Sequence, residues 1–440
     1  MPHEIRIDPG TVLAHLSGRP FGINVNYLRD HDANRPQARQ LQEAILEMNA
    51  GYLRYPGGEK SDWVLFNRGQ PEPFGIYKDF AQGHTMMSLD DFAVLCEKTG
   101  AIPHVVVAFD SLARTSVTED DFLRNALGML RHANLERGYG IKYWEIGNED
   151  WHNGTASPEE MARVVIRFSQ AMKALGPEIS ICVSGVKEDW WARFLPLAAA
   201  YLDCLVVSQY SCMDWGSYSY FARHEGIDLV PNAREAIDCL KRYAPGHAQR
   251  IKVIIAELNS KDYADLFGRP HWADDNNLGH SLVTFSILCQ MLELPEIAYG
   301  MIWNTRWMEQ AEEHQRIWYG LDSANRLLPS AMPLSILGQF LLDDMLLCQP
   351  PEGCVAFASK SMDGRRLSIF LVNKDEDNAL DGTILITGAG YRAAECWQYS
   401  GTGAYVLSPK LTRLGLQEGH QSLRCPPVSL TILTYEREKP

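Results

Sequence analysis

Eight short apolar segments recur through the first three quarters of this chain, and they limit its fold more than any other feature. They cover residues 21–26, 51–58, 102–109, 141–149, 179–186, 204–211, 252–259 and 297–304. Each is short enough for a buried strand, and amphipathic helical stretches separate them. Eight such alternations predict a (β/α)8 TIM barrel, and a doubly wound open sheet is the second choice.

The helix between the fourth and fifth segments is marked clearly at both ends. Ser157 can cap its amino end, and Glu160 completes a capping box. Pro158 suits the first turn, and Gly176 ends the helix. A second helical pattern with a broad apolar face covers 278–293. The glycine-rich fingerprint of a dinucleotide-binding open sheet is missing, which favours the barrel.

From about residue 340 the pattern changes to short strand-like segments separated by turns. It predicts a C-terminal antiparallel β-sandwich domain, to which the N-terminal segment "HEIRID" can add a strand. We therefore divide the chain into a catalytic barrel at 18–335 and an accessory sandwich formed by 1–17 and 336–440.

Charge and composition narrow the range of partners. The net charge is -14 and no basic stripe is present, so we expect neither nucleic acid nor a membrane as a partner. No apolar run reaches the roughly 18 residues of a membrane helix, and a signal-peptide pattern is missing, which favours a cytoplasmic protein. The ten cysteines lack CxxC pairs, as is typical of reduced, buried thiols. The sequence leaves the assembly state open, a homo-oligomer included.

No cofactor or metal is expected. The segments 29–35 and 271–275 contain histidine and acidic residues, but neither has the paired-histidine spacing of a zinc hydrolase. A solvated charged loop explains both segments better.

Acidic residues lie where two of the predicted strands end. In a barrel the reactive side chains lie at the carboxyl ends of the strands. Glu149 follows the fourth strand and Glu257 ends the seventh, so we expect them to face each other across the barrel mouth. Glu145 lies within the fourth strand and fits better as a buried structural acid, with Arg54 as its candidate partner, although a catalytic part stays open.

A pair of carboxylic acids suits glycoside hydrolysis. One protonates the leaving oxygen while the other attacks the anomeric carbon or activates water there. A gap of about 5 to 5.5 Å between the carboxyl groups means retention of configuration, and about 6.5 to 9.5 Å means inversion. Sequence alone does not fix this gap.

The motifs around the two acids resemble a known group of enzymes. "WEIGNE" at 144–149 with "AELN" at 256–259 resembles the acid/base and nucleophile segments of clan A, the 4/7 superfamily of retaining glycoside hydrolases. "LRYPGG" at 53–58 and the C-terminal sandwich resemble the α-L-arabinofuranosidase, β-xylosidase and β-glucuronidase branches. A retaining mechanism by double displacement is what this resemblance implies.

The resemblance also implies individual roles. Glu149 would be the general acid/base and Glu257 the nucleophile. Asn148 would donate to the sugar 2-hydroxyl, and Tyr210 would donate to the nucleophile. Arg54 would keep Glu257 ionised, since a nearby cation favours the charged carboxylate.

Aromatic residues on the long loops of the same rim are further candidates, because sugar rings stack on aromatic rings. The resemblance implies that Trp303 forms the hydrophobic floor of the sugar site. The other candidates for substrate contact are Asn26, Glu59, Trp63, Trp151, Trp215, Tyr218, Trp272 and Trp307. We expect some of these aromatic residues only to pack loops onto the barrel.

Two alternatives stay open at this point. One is another (β/α)8 hydrolase or an aldolase that uses these acids differently, and the other is a non-catalytic carbohydrate-binding protein on a barrel scaffold. The chain also departs from several relatives at Gln209, where they carry histidine, which leaves the branch and the sugar open.

Overall fold

The computed structural model describes residues 3–109, 117–153, 156–212, 215–261, 276–308, 319–388, 390–415 and 422–437. The strands in these residues are β1 (His3–His15), β2 (Phe21–Asn24), β3 (Tyr52–Tyr55), β4 (Val64–Asn67), β5 (Gln70–Pro73), β6 (Ile102–Val107), β7 (Tyr143–Ile146), β8 (Ser180–Ser184), β9 (Cys204–Tyr210), β10 (Lys252–Asn259), β11 (Ile297–Ile302), β12 (Asp344–Gln349), β13 (Cys354–Lys360), β14 (Arg366–Asn373), β15 (Leu380–Ile386), β16 (Tyr391–Ser400), β17 (Lys410–Leu414), β18 (Ser422–Cys425) and β19 (Ser429–Arg437). The helices are α1 (Leu41–Met48), α2 (Ile76–Phe80), α3 (Leu89–Thr99), α4 (Glu119–Leu130), α5 (Asp150–Asn153), α6 (Pro158–Leu175), α7 (Lys187–Ala198), α8 (Ser219–Arg223), α9 (Pro231–Tyr243), α10 (Leu278–Leu292) and α11 (Met332–Phe340).

Eight parallel strands close into a barrel. Around the barrel they follow the order β2, β3, β6, β7, β8, β9, β10 and β11, and β11 pairs with β2 to close it. These strands fall within the eight apolar segments of the sequence. The predicted (β/α)8 barrel is confirmed, and the open sheet is excluded because a closed barrel has no sheet edge.

The helix α6 shows why the local sequence signals work. Ser157 and Glu160 form the predicted capping box, in which each side chain accepts a hydrogen bond from the backbone N–H of the other. Pro158 occupies the first turn and Gly176 caps the carboxyl end. A cap of this kind contributes about 1 kcal/mol, and burial of the apolar face against the barrel holds the helix in place.

The helix α10 is buried on nearly every side, which exceeds the broad apolar face that the sequence predicts. Its inner side packs on β10 and β11. On its outer side, Phe285 contacts Phe357 and Phe370 of the second sheet. The helix therefore lies between the barrel and the sheet and joins their cores.

The second domain is a curled nine-stranded sheet in the order β17, β16, β19, β14, β13, β12, β1, β15 and β18. β1 joins this sheet, where it runs antiparallel to β12 and parallel to β15. The parallel pair departs from the purely antiparallel pattern of the prediction, because β1 comes from the start of the chain and no hairpin sets its direction. The predicted boundary at 335 falls inside α11, and the division into 18–335 and the remainder stays a prediction.

Two other expectations concern thiols and membranes. All ten cysteines are free thiols and nine of them are buried. In the part of the chain that the structure describes, no helix has both the length and the apolar character needed to cross a membrane.

Candidate active site

The loop after β7 presents Asn148 and Glu149 at the carboxyl rim of the barrel. Gly147 and Glu149 both have a positive φ, of 66° and 50°, so the chain turns sharply before α5 begins. At Gly147 a Cβ atom would lie 2.0 Å from the Asp150 carboxylate, so only glycine fits there. This turn sets the direction of the Glu149 side chain.

Arg54, on β3, is the centre of the site and is only 1% exposed. Its guanidinium donates to Glu145 at 2.8 and 3.0 Å and to Glu257 at 2.7 Å. It also donates to the Oδ1 atoms of Asn24 at 3.0 Å and Asn148 at 2.8 Å. These contacts use all five N–H donors of an arginine, so the side chain is fixed and joins the acids of β7 and β10.

Glu145 is the structural acid that its place within the strand predicts. It is fully buried, pairs with Arg54, and also contacts His104 Nε2 at 2.8 Å. Burial is the largest single influence and acts to raise the pKa of Glu145, but the charge and hydrogen bonds of Arg54 together with the contact to His104 outweigh it, so the pKa lies below its ordinary value. Burial lowers the pKa of His104. We conclude that Glu145 is a permanent anion that orients Arg54.

Glu257, on β10, is 5% exposed and is held at both carboxylate oxygens. Arg54 donates to Oε1 and the Tyr210 hydroxyl donates to Oε2 at 2.8 Å. Hydrogen bonds and a cation that favour the ionised form keep a carboxylate available as a nucleophile.

Glu149 has a different environment from Glu257. It is half-buried, and its Oε1 accepts a hydrogen bond from the hydroxyl of Ser208 on β9. Its backbone N–H donates to Ser184 Oγ at 3.0 Å. Ser208 also lies opposite Glu257 in the pairing of β9 with β10. The two predicted catalytic acids thus lie on the same rim, one held by a guanidinium and the other by a hydroxyl.

Asn148 and Trp303 lie beside this pair. Because Asn148 Oδ1 accepts from Arg54, its NH₂ group is the end of the amide that can donate to a ligand. Trp303 directly follows β11, is 6% exposed, and packs against Gly58 so closely that a Cβ there would lie 2.0 Å from its ring. The structure therefore brings together Arg54, Asn148, Glu149, Tyr210, Glu257 and Trp303 as the sequence predicts; their roles stay predictions.

Four weaker candidates have other surroundings. The Asn26 amide donates to the backbone oxygens of Arg306 and Trp307, at 3.0 and 3.2 Å, so its N–H donors serve the fold. Trp215 is buried and stacks on Tyr220 and Phe221, which packs its loop onto the barrel. The remaining two are Trp151, which is half-buried in α5, and Glu59, which is half-buried in the 3-10 turn Gly58–Trp63. Substrate contact by any of the four stays a prediction.

Three other aromatic candidates lie on the loops of the same rim. Trp63 and Tyr218 are buried and pack on neighbouring rings, whereas Trp307 is half-buried beside Trp303. Trp272 and the segment 271–275 lie outside the described residues, and so nothing is added to their predictions.

Sequence reasoning missed two residues of the site. Ser208 lies within an apolar strand and carries no motif. Lys60 lies in the turn that follows β3, beyond the strand end at which a barrel presents its reactive side chains. The direct sequence signal for Lys60 is its place two residues after "LRYPGG".

Comparisons with known proteins show a partial match in sequence. No family model matches the chain. A probable α-L-arabinofuranosidase C of Aspergillus fumigatus is 26% identical over 179 residues, which cover 36% of this chain and 34% of that protein. The chain thus spans about a third of the length of the curated relatives it matches.

Solved structures match over nearly the whole chain. The α-L-arabinofuranosidase of Thermotoga maritima, in complex with arabinose, has a TM-score of 0.75 at 17% identity and covers 99% of this chain and 100% of its own. A family 44 xyloglucanase of Paenibacillus polymyxa has a TM-score of 0.67 at 12% identity, with 99% of both chains covered. The protein therefore has the barrel-and-sheet fold of the α-L-arabinofuranosidases, and its predicted resemblance to the arabinofuranosidases of clan A is confirmed in fold and, over about a third of the chain, in sequence.

Proposed function

We propose that the protein is a retaining glycoside hydrolase in which Glu257 is the nucleophile and Glu149 the general acid/base. The observation that carries this proposal is the pair of hydrogen bonds that Glu257 accepts from Arg54 and Tyr210, one at each carboxylate oxygen. Glu257 lies at the same rim as Glu149. Permanent pairing with a guanidinium suits a carboxylate that must attack as an anion. The hydroxyl contact of Glu149 with Ser208 is compatible with both protonation states, as an acid/base requires.

The reaction has two displacement steps. In the first, Glu257 attacks the anomeric carbon while Glu149 gives its proton to the leaving oxygen, which breaks the glycosidic bond and forms a glycosyl ester. In the second, Glu149 removes a proton from water, the water oxygen attacks the anomeric carbon, and Glu257 leaves as a carboxylate. Asn148 donates to the sugar 2-hydroxyl in both steps, and Trp303 forms the floor under the ring.

The proposed substrate is a carbohydrate with an α-L-arabinofuranosyl residue. The support is that the protein with the matching sequence segment and the solved Thermotoga maritima enzyme are both named for that activity. The xyloglucanase shows that the fold also serves another polysaccharide, so the sugar needs its own test. We further propose action in the cytoplasm, without a nucleic acid or a membrane as partner.

The test is hydrolysis of aryl α-L-arabinofuranoside, β-xyloside, β-glucuronide, β-galactoside and β-glucoside by the wild type and by variants of the two acids. We expect the arabinofuranoside to react fastest. Glu149→Ala should lose about 10²- to 10⁴-fold in turnover, as expected for loss of a general acid/base. Azide should restore turnover of Glu149→Ala and give a glycosyl azide of retained configuration.

Glu257→Ala provides the opposite test. It should bind the arabinofuranoside without turnover, and azide with an activated substrate should give the inverted glycosyl azide. Glu97→Ala, an exposed carboxylate on α3, is the matched control and should retain full activity. Unchanged turnover in Glu257→Ala would contradict the mechanism, and binding without turnover by the wild type would support the carbohydrate-binding alternative.

A further inference from the structure

A cavity of about 410 Å³ lies between the barrel and the nine-stranded sheet. Its walls come from residues 224–229, from the helices α9 and α10, and from the strands β12 and β13 with Lys374 of the sheet domain. Of the described residues that line it, none is Arg54, Glu149 or Glu257. Its volume falls within the range of about 300 to 1,000 Å³ that is usual for small-molecule sites.

Glu293 is the least expected residue in the wall of this cavity. It stands at the carboxyl end of α10, where the helix dipole disfavours a negative charge. Burial raises the pKa of Glu293 to about 7, while the charge of Arg234 opposes this rise. Among the described residues, none forms a hydrogen bond or an ion pair with its carboxylate. A half-buried carboxylate in such a place destabilises the fold, and no protein contact offsets the loss.

Two cations of the same wall keep hydrogen-bond donors in reserve. The Lys374 side chain is 2% exposed, and its Nζ donates to a backbone oxygen at 2.7 Å and to Glu225 at 3.1 Å, which leaves one of its three N–H donors. Arg234 donates from Nε to Asp228 at 3.2 Å, and its two terminal NH₂ groups have no partner among the described residues. The wall thus combines donors from two cations with the acceptors of Glu293.

The charges and the apolar parts of the wall indicate the class of ligand. Besides two thiols, whose pKa values burial raises, the ionisable side chains of the wall are Lys374, Arg234, His224, Glu225, Asp228 and Glu293. An anion would meet three carboxylates there, and a cation would meet two positive charges. A sugar is neutral, and its hydroxyl groups both donate to carboxylates and accept from cations. Ile227 and Val355, both partly buried, supply apolar surface for the C–H groups of a sugar ring.

We propose that this cavity is a second, non-catalytic binding site for a neutral mono- or disaccharide, held by Glu293, Arg234 and Lys374. Glu293 accepts hydrogen bonds from the sugar hydroxyls, and the guanidinium and the ammonium donate to sugar oxygens. The class of ligand follows from these groups, whereas the choice of arabinose as the sugar rests on the proposed function. The site binds the sugar without taking part in the cleavage.

The experiment is isothermal titration calorimetry of Glu257→Ala, which binds without turnover, with the disaccharide arabinobiose. We expect two classes of binding site. Adding Glu293→Leu should weaken one class at least about tenfold, as loss of a hydrogen bond to a charged group implies, and adding Arg234→Met should do the same. Adding Lys241→Met, which removes an exposed cation of the same helix outside the cavity, should leave both classes unchanged.

Turnover separates this proposal from the proposed function. With Glu257 intact, Glu293→Leu should hydrolyse the aryl arabinofuranoside with the kcat and KM of the wild type, because the cavity does not hold the reacting sugar. If the wild type hydrolyses no aryl glycoside, the proposed function fails, and the calorimetry still tests the cavity. A single class of site that both Glu293→Leu and Arg234→Met abolish would support the cavity site and would remove arabinose as the substrate of the catalytic rim.

Three results would overturn the proposal. The first is the absence of any binding of arabinobiose. The second is binding, in one class or two, that neither Glu293→Leu nor Arg234→Met changes, since the sugar would then lie elsewhere. The third is a loss of the same size in Lys241→Met, which would show that the charge of the surface rather than the cavity matters.

Discussion

The two ends of the barrel interior are filled by different kinds of residue, uncharged aromatic rings at one end and paired charges at the other. Toward the amino ends of the strands lie Tyr52, Tyr143 and Tyr299, with Tyr52 and Tyr299 stacked at 3.7 Å and Tyr143 against Tyr299 at 5.3 Å. Two residues further along the same strands, Arg54 follows Tyr52 and Glu145 follows Tyr143. Since side chains alternate along a strand, these pairs point to the same side and form successive layers of the interior.

His104 joins the two layers. Its Nδ1 contacts the hydroxyl of Tyr299 at 2.9 Å, and its Nε2 contacts Glu145 at 2.8 Å. Burial lowers the pKa of His104, so the ring between the layers tends to be neutral. The buried charges of the interior therefore lie in the upper layer, where Arg54 pairs with the carboxylates. In barrel enzymes the lower layers serve stability and the upper rim serves chemistry, and here the two tasks meet at one imidazole.

The largest effect that tests this division is expected from Arg54→Met. Loss of the guanidinium leaves Glu145 buried without its partner, which should lower the free energy of unfolding by about 3 to 5 kcal/mol. The same change should lower kcat/KM at least about 10²-fold, because Glu257 loses its donor. Urea unfolding and hydrolysis of an aryl arabinofuranoside measure the two effects.

Arg163→Met is the matched control, because Arg163 is largely exposed and pairs with Glu119. Its effect on the free energy of unfolding should stay below about 1 kcal/mol. If Arg54→Met lowered the free energy of unfolding no more than this control does, the stability of the upper layer would not depend on the charge of Arg54.

A smaller effect is expected from Tyr210→Phe, which affects the chemistry alone. The variant removes the hydroxyl that donates to Glu257 Oε2 and leaves the ring in place. We expect kcat/KM to fall about 10-fold, while the free energy of unfolding changes by no more than about 1 kcal/mol. A matched Tyr243→Phe variant, which removes a hydroxyl that donates to Glu188 on α7, should retain activity. A loss of stability without a loss of activity in Tyr210→Phe would place Tyr210 with the structural layer.

The sequence predicts the barrel well because its signals are local and repeated. Each strand is a short apolar segment, and α6 has its cap, first-turn proline and terminal glycine in the chain itself. Glu149 and Glu257 could be placed for the same reason, since both follow from where a strand ends. The parallel pairing of β1 with β15 could not be predicted, because it joins segments about 380 residues apart in sequence and depends on how the sheet curls.

The contacts within the site are predicted less completely. The sequence and its resemblance predict Arg54 beside Glu145 and Glu257, but the use of all five donors depends on how the strands lie around the barrel. Lys60 escapes prediction because it lies in a short 3-10 turn, and a single turn is too short to show a period in the sequence. Trp215 is the opposite case, a candidate for sugar binding that instead packs on Tyr220. In the sequence, a tryptophan that packs a loop looks the same as a tryptophan that binds a sugar.

The smallest expected effect comes from the lower layer, in Tyr299→Phe. The variant removes the hydroxyl that contacts His104 and keeps the stacked ring, so the free energy of unfolding should fall by about 0.5 to 1.5 kcal/mol. Activity should stay within about twofold of wild type, because Glu145 keeps its contacts with Arg54 and His104. Urea unfolding and the aryl arabinofuranoside assay again give both quantities. A tenfold loss of kcat/KM would instead show that the orientation of His104 affects Glu257 through the contacts of Glu145 and Arg54. The two layers would then be coupled in function.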